Sequence, residues 1–192
     1  TLKLIELFGY WIFYRPLLFW FVFRFPQIFW EMLGKQEKAN IEYFTTDFPL
    51  HRVSKARKRP GLAQLKRLEK EITGQREKAQ YYIDGLKGMN GIKILTEALG
   101  DYSNYPYLTL IFEKEEKRNK ALRIFRKSGL GISRIYLWPI TDYKYLQNIY
   151  SPGSCPNAGY IAHRHITLST SVYLKKKDQD YIIKNLREKL KI

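Results

Sequence analysis

The run "GLAQLKRLEKEITGQREKAQYYIDGLKG" at 61–88 does most to limit what this chain can fold into. Leu62, Leu65, Leu68, Ile72, Ala79, Ile83 and Leu86 follow one another at intervals of three, four and seven. That spacing predicts one amphipathic helix of about seven turns, stopped by Gly85 and Gly88. Its apolar stripe must be covered by another layer. The downstream sequence offers one: "YPYLTLIFE" alternates as a strand, "KEEKRNKALRIFRKSGL" is a helix ended by Gly129, and "GISRIYLWPI" is a second strand. "SPGSCPNAG" reads as a turn-rich loop with Cys155 buried in it. "HRHITLSTSVYL" is a third strand, before a closing helix "KKDQDYIIKNLREKL" whose Asp178 and Asp180 suit its first turn. The expected class is α+β: a long helix, a small, mostly antiparallel sheet and a C-terminal helix.

Ahead of that unit, "GYWIFYRPLLFWFVFRFPQIFW" poses a separate problem. Residues 8–30 hold 12 of the chain's 30 aromatic residues, yet Arg15 and Arg24 interrupt them and Pro16 and Pro26 should break any helix. The longest uncharged stretches, Leu7–Tyr14 and Pro16–Phe23, are eight residues each. A spanning helix needs about 20 apolar residues, so two short helices hinged near Arg15-Pro16 are expected. Trp11, Trp20 and Trp30 beside Arg15 and Arg24 suit an interfacial segment whose arginines snorkel. An aromatic core or subunit interface is the competing reading, and a true span a third. The division expected is a hydrophobic hairpin at 1–34, a basic connecting segment at 35–60 and an α+β domain at 61–192.

Lysine and arginine (34) outnumber aspartate and glutamate (18), giving +16, which favours anionic partners. One cysteine excludes an intrachain disulfide and points to a cytoplasmic setting. The chain begins at Thr1 and reads as the tail of a longer protein. The cluster Arg52, Lys55, Arg57, Lys58 and Arg59 is an anion-facing patch or a solvated loop. Nucleic-acid binding is disfavoured, because the aromatics and the basic cluster lie apart.

Few residues read as chemistry. "GLGIS" at 129–133 lies between helix and strand, the wrong order for a dinucleotide loop. His163 and His165 would point the same way on a strand, but no CxxC or HExxH accompanies them and no metal is expected. Cys155 with His51, His163 or His165 as base is a weak nucleophile reading. A non-catalytic basic module docking on anionic membranes remains an alternative to any enzyme.

Arg52 is followed nine residues later by Gly61-Leu62-Ala63-Gln64-Leu65, then by Arg76, Ala79 and Tyr82 in an R-x-x-A-x-x-Y run. This stretch resembles the DegT/DnrJ/StrS family of PLP-dependent sugar aminotransferases. The strand, helix and Gly-Ile element at 105–133 are similar in order. So are "WPI" at 138–140 with Gln147 and Tyr150, "CPNAG" from Cys155 to Gly159, and Leu168-Ser169. Where the family often has asparagine two residues before the arginine, this chain has Leu50. Where it has a small Ala-Ala pair, this chain has Lys58-Arg59.

The resemblance implies the small C-terminal domain of a fold-type I aminotransferase, with pyridoxal 5'-phosphate (PLP) as electron sink in the full-length protein. It implies an amino group passed, often from glutamate, to a keto-sugar that is nucleotide- or lipid-linked. The Schiff-base lysine should lie in a large domain before Thr1, so this chain alone should be inactive. A homodimer is implied, with Arg52 near the cofactor or the dimer interface. Tyr136, Trp138 and Asn157 become substrate-side candidates. Residues 8–30 then stand as an insert that sets the enzyme peripherally on the inner face of a membrane.

Overall fold

The computed structural model describes residues 2–13, 15–35 and 55–190. Arg52, Leu50 and His51 lie outside the described residues.

Three antiparallel strands form one sheet in the order β1 (Ile92–Ile94), β2 (Tyr107–Phe112), β3 (His165–Ser169). The register pairs Leu108 with Leu168 and Leu110 with Ile166. Because successive side chains alternate faces, these four residues and Phe112 point to one side, where all are buried. Helices α5 (Leu68–Leu86), α6 (Glu115–Phe125) and α8 (Lys176–Lys189) supply Ala79, Tyr82 and Leu86, Ala121 and Phe125, and Ile182 and Leu186 to the same core. The α+β class expected from the sequence is therefore the observed one, with helices layered on a small antiparallel sheet.

The elements depart from the sequence reading in several places. The long helix is two: α4 (Lys55–Leu65) carries Pro60 inside it, and a turn at Lys66–Arg67 separates it from α5. Leu62, Leu65 and Leu68 are exposed, so the apolar stripe is covered only from about Ile72 onward. Gly85 does not stop α5. It lets α8 approach, since a Cβ there would lie 2.5 Å from Ile183 Cδ1; the left-handed Gly88 follows the helix end.

"GISRIYLWPI" is not a strand: only Ser133 bridges to β3, through Thr167. The missing strand is β1, whose short "IKI" was not anticipated. "CPNAGYIAHR" is helix α7 (Pro156–Arg164), with Pro156 in the first turn, where its absent N–H costs nothing. Cys155 is exposed rather than buried.

In the aromatic segment, α1 (Leu2–Phe13) is followed by an extended Arg15, as the expected hinge requires. Pro26, expected to break the helix, does not. The chain runs on through α2 (Pro16–Phe19), a π turn (Trp20–Arg24) and α3 (Phe25–Met32). Proline cannot donate to the carbonyl four residues back and its ring crowds it. Widening the preceding turn, with Phe25 N–H reaching Trp20 O, relieves that clash. No described helix is long and apolar enough to cross a membrane.

Candidate functional site

The face of the sheet away from the helical core is polar. Tyr107, Thr109 and Ile111 of β2 stand opposite Ser169, Thr167 and His165 of β3. The segment 131–139 runs along the free edge of β3. Ser133 exchanges both backbone bonds with Thr167 (3.2 and 2.8 Å), and their hydroxyls meet at 3.1 Å. Gly131 makes this approach possible. Its φ is +70°, and a Cβ would sit 2.7 Å from Ser169 Cβ, so only glycine is comfortable there.

His165 is buried beneath this segment. Its Nδ1 lies 3.0 Å from the Ile161 carbonyl and its Nε2 accepts the Tyr136 N–H at 3.5 Å. A ring that donates from Nδ1 and accepts at Nε2 is neutral. Burial pushes its pKa below the ordinary histidine value, opposed by the backbone at Ile161 and Ala162 and aided by the positive Arg134 and Arg118. His163 sits in the last turn of α7, so the two histidines do not share a strand as the sequence suggested.

The three substrate-side candidates fall on one connection between α6 and β3. Tyr136 is exposed and tilts over His165, ring centroids 6.2 Å apart. Burial first, and Tyr136 second, raise the pKa of Tyr107. Trp138 is half-buried, edge-on to Tyr143 at 6.1 Å. Asn157 is exposed in the first turn of α7. Gly159 of that helix lies against Pro139, which keeps the start of α7 beside the Trp138–Pro139 corner.

Among the aromatic-segment residues, Trp11 is exposed with Arg15 over its ring at 5.4 Å. Trp20 Nε1 donates to Arg126 O at 3.3 Å, and Arg126 pairs with Glu31 at 4.0 Å. Lys35 lies 6.0 Å over the Trp30 ring. Arg24 closes the π turn.

Other family-pattern residues are structural. Ala79 and Tyr82 are wholly buried in the core. Arg76 clamps Glu97 (2.8 and 2.7 Å), donates to Ser103 O, and stacks on Tyr102 at 4.2 Å. Sequence reasoning missed Glu97 and Ser103, more than 20 residues from Arg76. It also missed Arg118, whose side chain is 1% exposed and bonds Glu115 at 2.7 Å. An arginine on the inward face of an amphipathic helix, three residues from a glutamate, was the available signal.

A PLP site needs a desolvated lysine amine. Among the described side chains no lysine is buried. Lys78 is half-buried and donates to Ser171 O at 2.8 Å.

A small antiparallel sheet backed by helices is the architecture expected of the small C-terminal domain of a fold-type I PLP enzyme. The chain belongs to the DegT/DnrJ/EryC1/StrS aminotransferase family, whose model matches residues 52–187. PLP is that family's cofactor. A dTDP-4-amino-4,6-dideoxy-D-glucose transaminase from Shigella dysenteriae is 24% identical over 130 residues, covering 67% of this chain and 35% of the relative. The S. venezuelae DesV structure, in complex with a ketimine intermediate, superposes with a TM-score of 0.65 at 19% identity, over 83% of this chain and 44% of that one. The E coli GDP-4-keto-6-deoxy-D-mannose-3-dehydratase with bound hydrated PLP gives 0.58 at 18%, over 74% and 38%. This chain thus spans less than half the length of these relatives.

Proposed function

We propose that the protein carrying this chain is a PLP-dependent aminotransferase that transfers an amino group to a keto-sugar nucleotide, and that the chain is its small domain. The family match across 52–187, with the expected fold realised over it, is the observation that carries this reading. The named relative is a transaminase of a dTDP-sugar, which favours a nucleotide-linked substrate over a lipid-linked one. The division into a hairpin at 1–34, a connector at 35–60 and a domain at 61–192 belongs to the same proposal. So do a homodimer, a place on the inner face of a membrane, and Arg52 beside the cofactor or the dimer partner.

The domain's own contribution is positional. The 131–157 connection, fixed by the Ser133–Thr167 bridge and the neutral His165, presents Tyr136 and Asn157 to solvent and carries the half-buried Trp138. An exposed phenol and amide beside a half-buried indole, on rigid support, suit a sugar nucleotide's hydroxyls and base. When bound, PLP supplies the electron sink. The test is the full-length protein incubated with PLP, glutamate and a dTDP-4-keto sugar. Bound-cofactor absorbance and 2-oxoglutarate release are expected, with Arg52→Ala losing both and Tyr136→Phe or Asn157→Ala raising KM. Absence of cofactor binding by the intact protein would sink the reading.

A further inference from the structure

The rod Pro16–Met32 wears its apolar face outward. Trp20 and Glu31 both reach Arg126, at the end of α6, so that side of the rod faces the domain. Phe21, Val22, Phe25, Phe29, Met32 and Leu33 are all at least half exposed. At about 100° per residue they fill roughly a third of the helix circumference, on the side away from Arg126. A surface helix of a globular protein normally shows the reverse arrangement, polar side outward.

Cations bracket this apolar arc. Arg15 precedes it, folded on Trp11, and Lys35 follows it, folded on Trp30. The adjoining end of α6 exposes Arg123 and Lys127. The sole acid among residues 15–35 is Glu31, turned to Arg126. Aromatic and aliphatic side chains ringed by snorkelling cations match an anionic bilayer interface in both polarity and charge.

We infer that the rod lies in the plane of an anionic lipid surface, with Phe21, Phe25 and Phe29 inserted among the acyl chains and Trp20 held above it against α6. This deepens the peripheral placement proposed above and is independent of amino transfer. The 192-residue chain should co-sediment with phosphatidylcholine vesicles containing phosphatidylglycerol, and bind pure phosphatidylcholine at least about tenfold more weakly. Phe21→Ser, Phe25→Ser and Phe29→Ser together should lower binding by a further tenfold or more, with the thermal transition of the domain unchanged.

A second measurement keeps the exposed phenylalanines: single-tryptophan variants retaining Trp11 or Trp20, with the other tryptophans replaced by phenylalanine, probed with brominated lipid. Strong quenching of Trp11 and weak quenching of Trp20 is expected. Equal quenching of the two, binding indifferent to the serine substitutions, or no binding at all overturns the inference. So does a vesicle-free dimer that the same substitutions dissociate, which assigns the face to a second copy. Vesicle binding with no amino transfer by the full-length protein would sink the enzymatic proposal alone.

Discussion

Arg76 and Glu97 form a two-pronged ion pair, Nη1 to Oε2 at 2.8 Å and Nη2 to Oε1 at 2.7 Å. The same guanidinium stacks on Tyr102 and donates to Ser103 O, while Ser103 N–H donates to Glu97 at 2.7 Å. One residue of α5 thereby fixes the connection between β1 and β2. Arg76→Ala should raise hydrogen exchange and proteolysis at 97–105 and leave α5 protected. Arg76→Lys should rescue little, because an ammonium neither forks nor stacks.

Acid should loosen the same connection. Arg76, then the Ser103 N–H, hold the Glu97 carboxyl at a pKa of about 2, against about 4.5 ordinarily. Between those values the unfolded chain binds the proton more readily than the folded one. The stabilisation is therefore complete above about pH 4.5 and is lost as pH falls through about 2. Glu97→Gln should flatten the melting temperature against pH across this window. Coincident curves for the two proteins would contradict it.

Gly131→Ala should cost more than about 1 kcal/mol, since alanine is strained at positive φ and its methyl would strike Ser169. Adding Ser169→Gly should recover the steric part and leave the backbone part. A denaturant double-mutant cycle separates the two.

Arg118 is buried with Glu115 as its ion-pair partner, and no hydrogen-bond partner for its Nε is found among the described residues. Burial lowers its pKa, against the pull of Glu115. Glu115→Ala strands the cation and should cost about 2 kcal/mol, at the low end for a buried pair because Glu115 is itself 44% exposed. Arg118→Met, which keeps the stem's packing without the charge, should be neutral or stabilising in the same urea titration.

What the sequence disclosed follows from the range of each interaction. Ala79, Ile83 and Leu86 could be read from their spacing, because a helix writes its buried face into a local period. The break at Lys66–Arg67 could not, since the leucine pattern runs straight through it. Pro156, Gly153 and Gly159 made 151–159 look like a loop, although a proline in the first turn is equally a helix start. Segment 131–139 has strand-like composition but bridges β3 only at Ser133. At the candidate site, Tyr136, Trp138 and Asn157 were legible only through the family pattern. His165 was visible as a residue, but its place between Ile161 and Tyr136 depends on contacts made across the fold. The relatives also divide by reaction, a transaminase and a dehydratase sharing this architecture, so the scaffold alone does not choose the chemistry.

The wide turn at Trp20–Arg24 holds one residue more than an ordinary helix would place there. Its five residues sweep about the same angle as four at about 100° each, so deleting one between Trp20 and Arg24 should restore ordinary winding and leave Glu31 on Arg126 and Phe29 and Met32 facing away from α6. The cost then falls on Pro26, whose ring meets the carbonyl that the wide turn had moved aside. A one-codon deletion elsewhere in the rod turns everything beyond it by about 100°, so sequence drift should tolerate loss of a residue inside the turn and resist it outside.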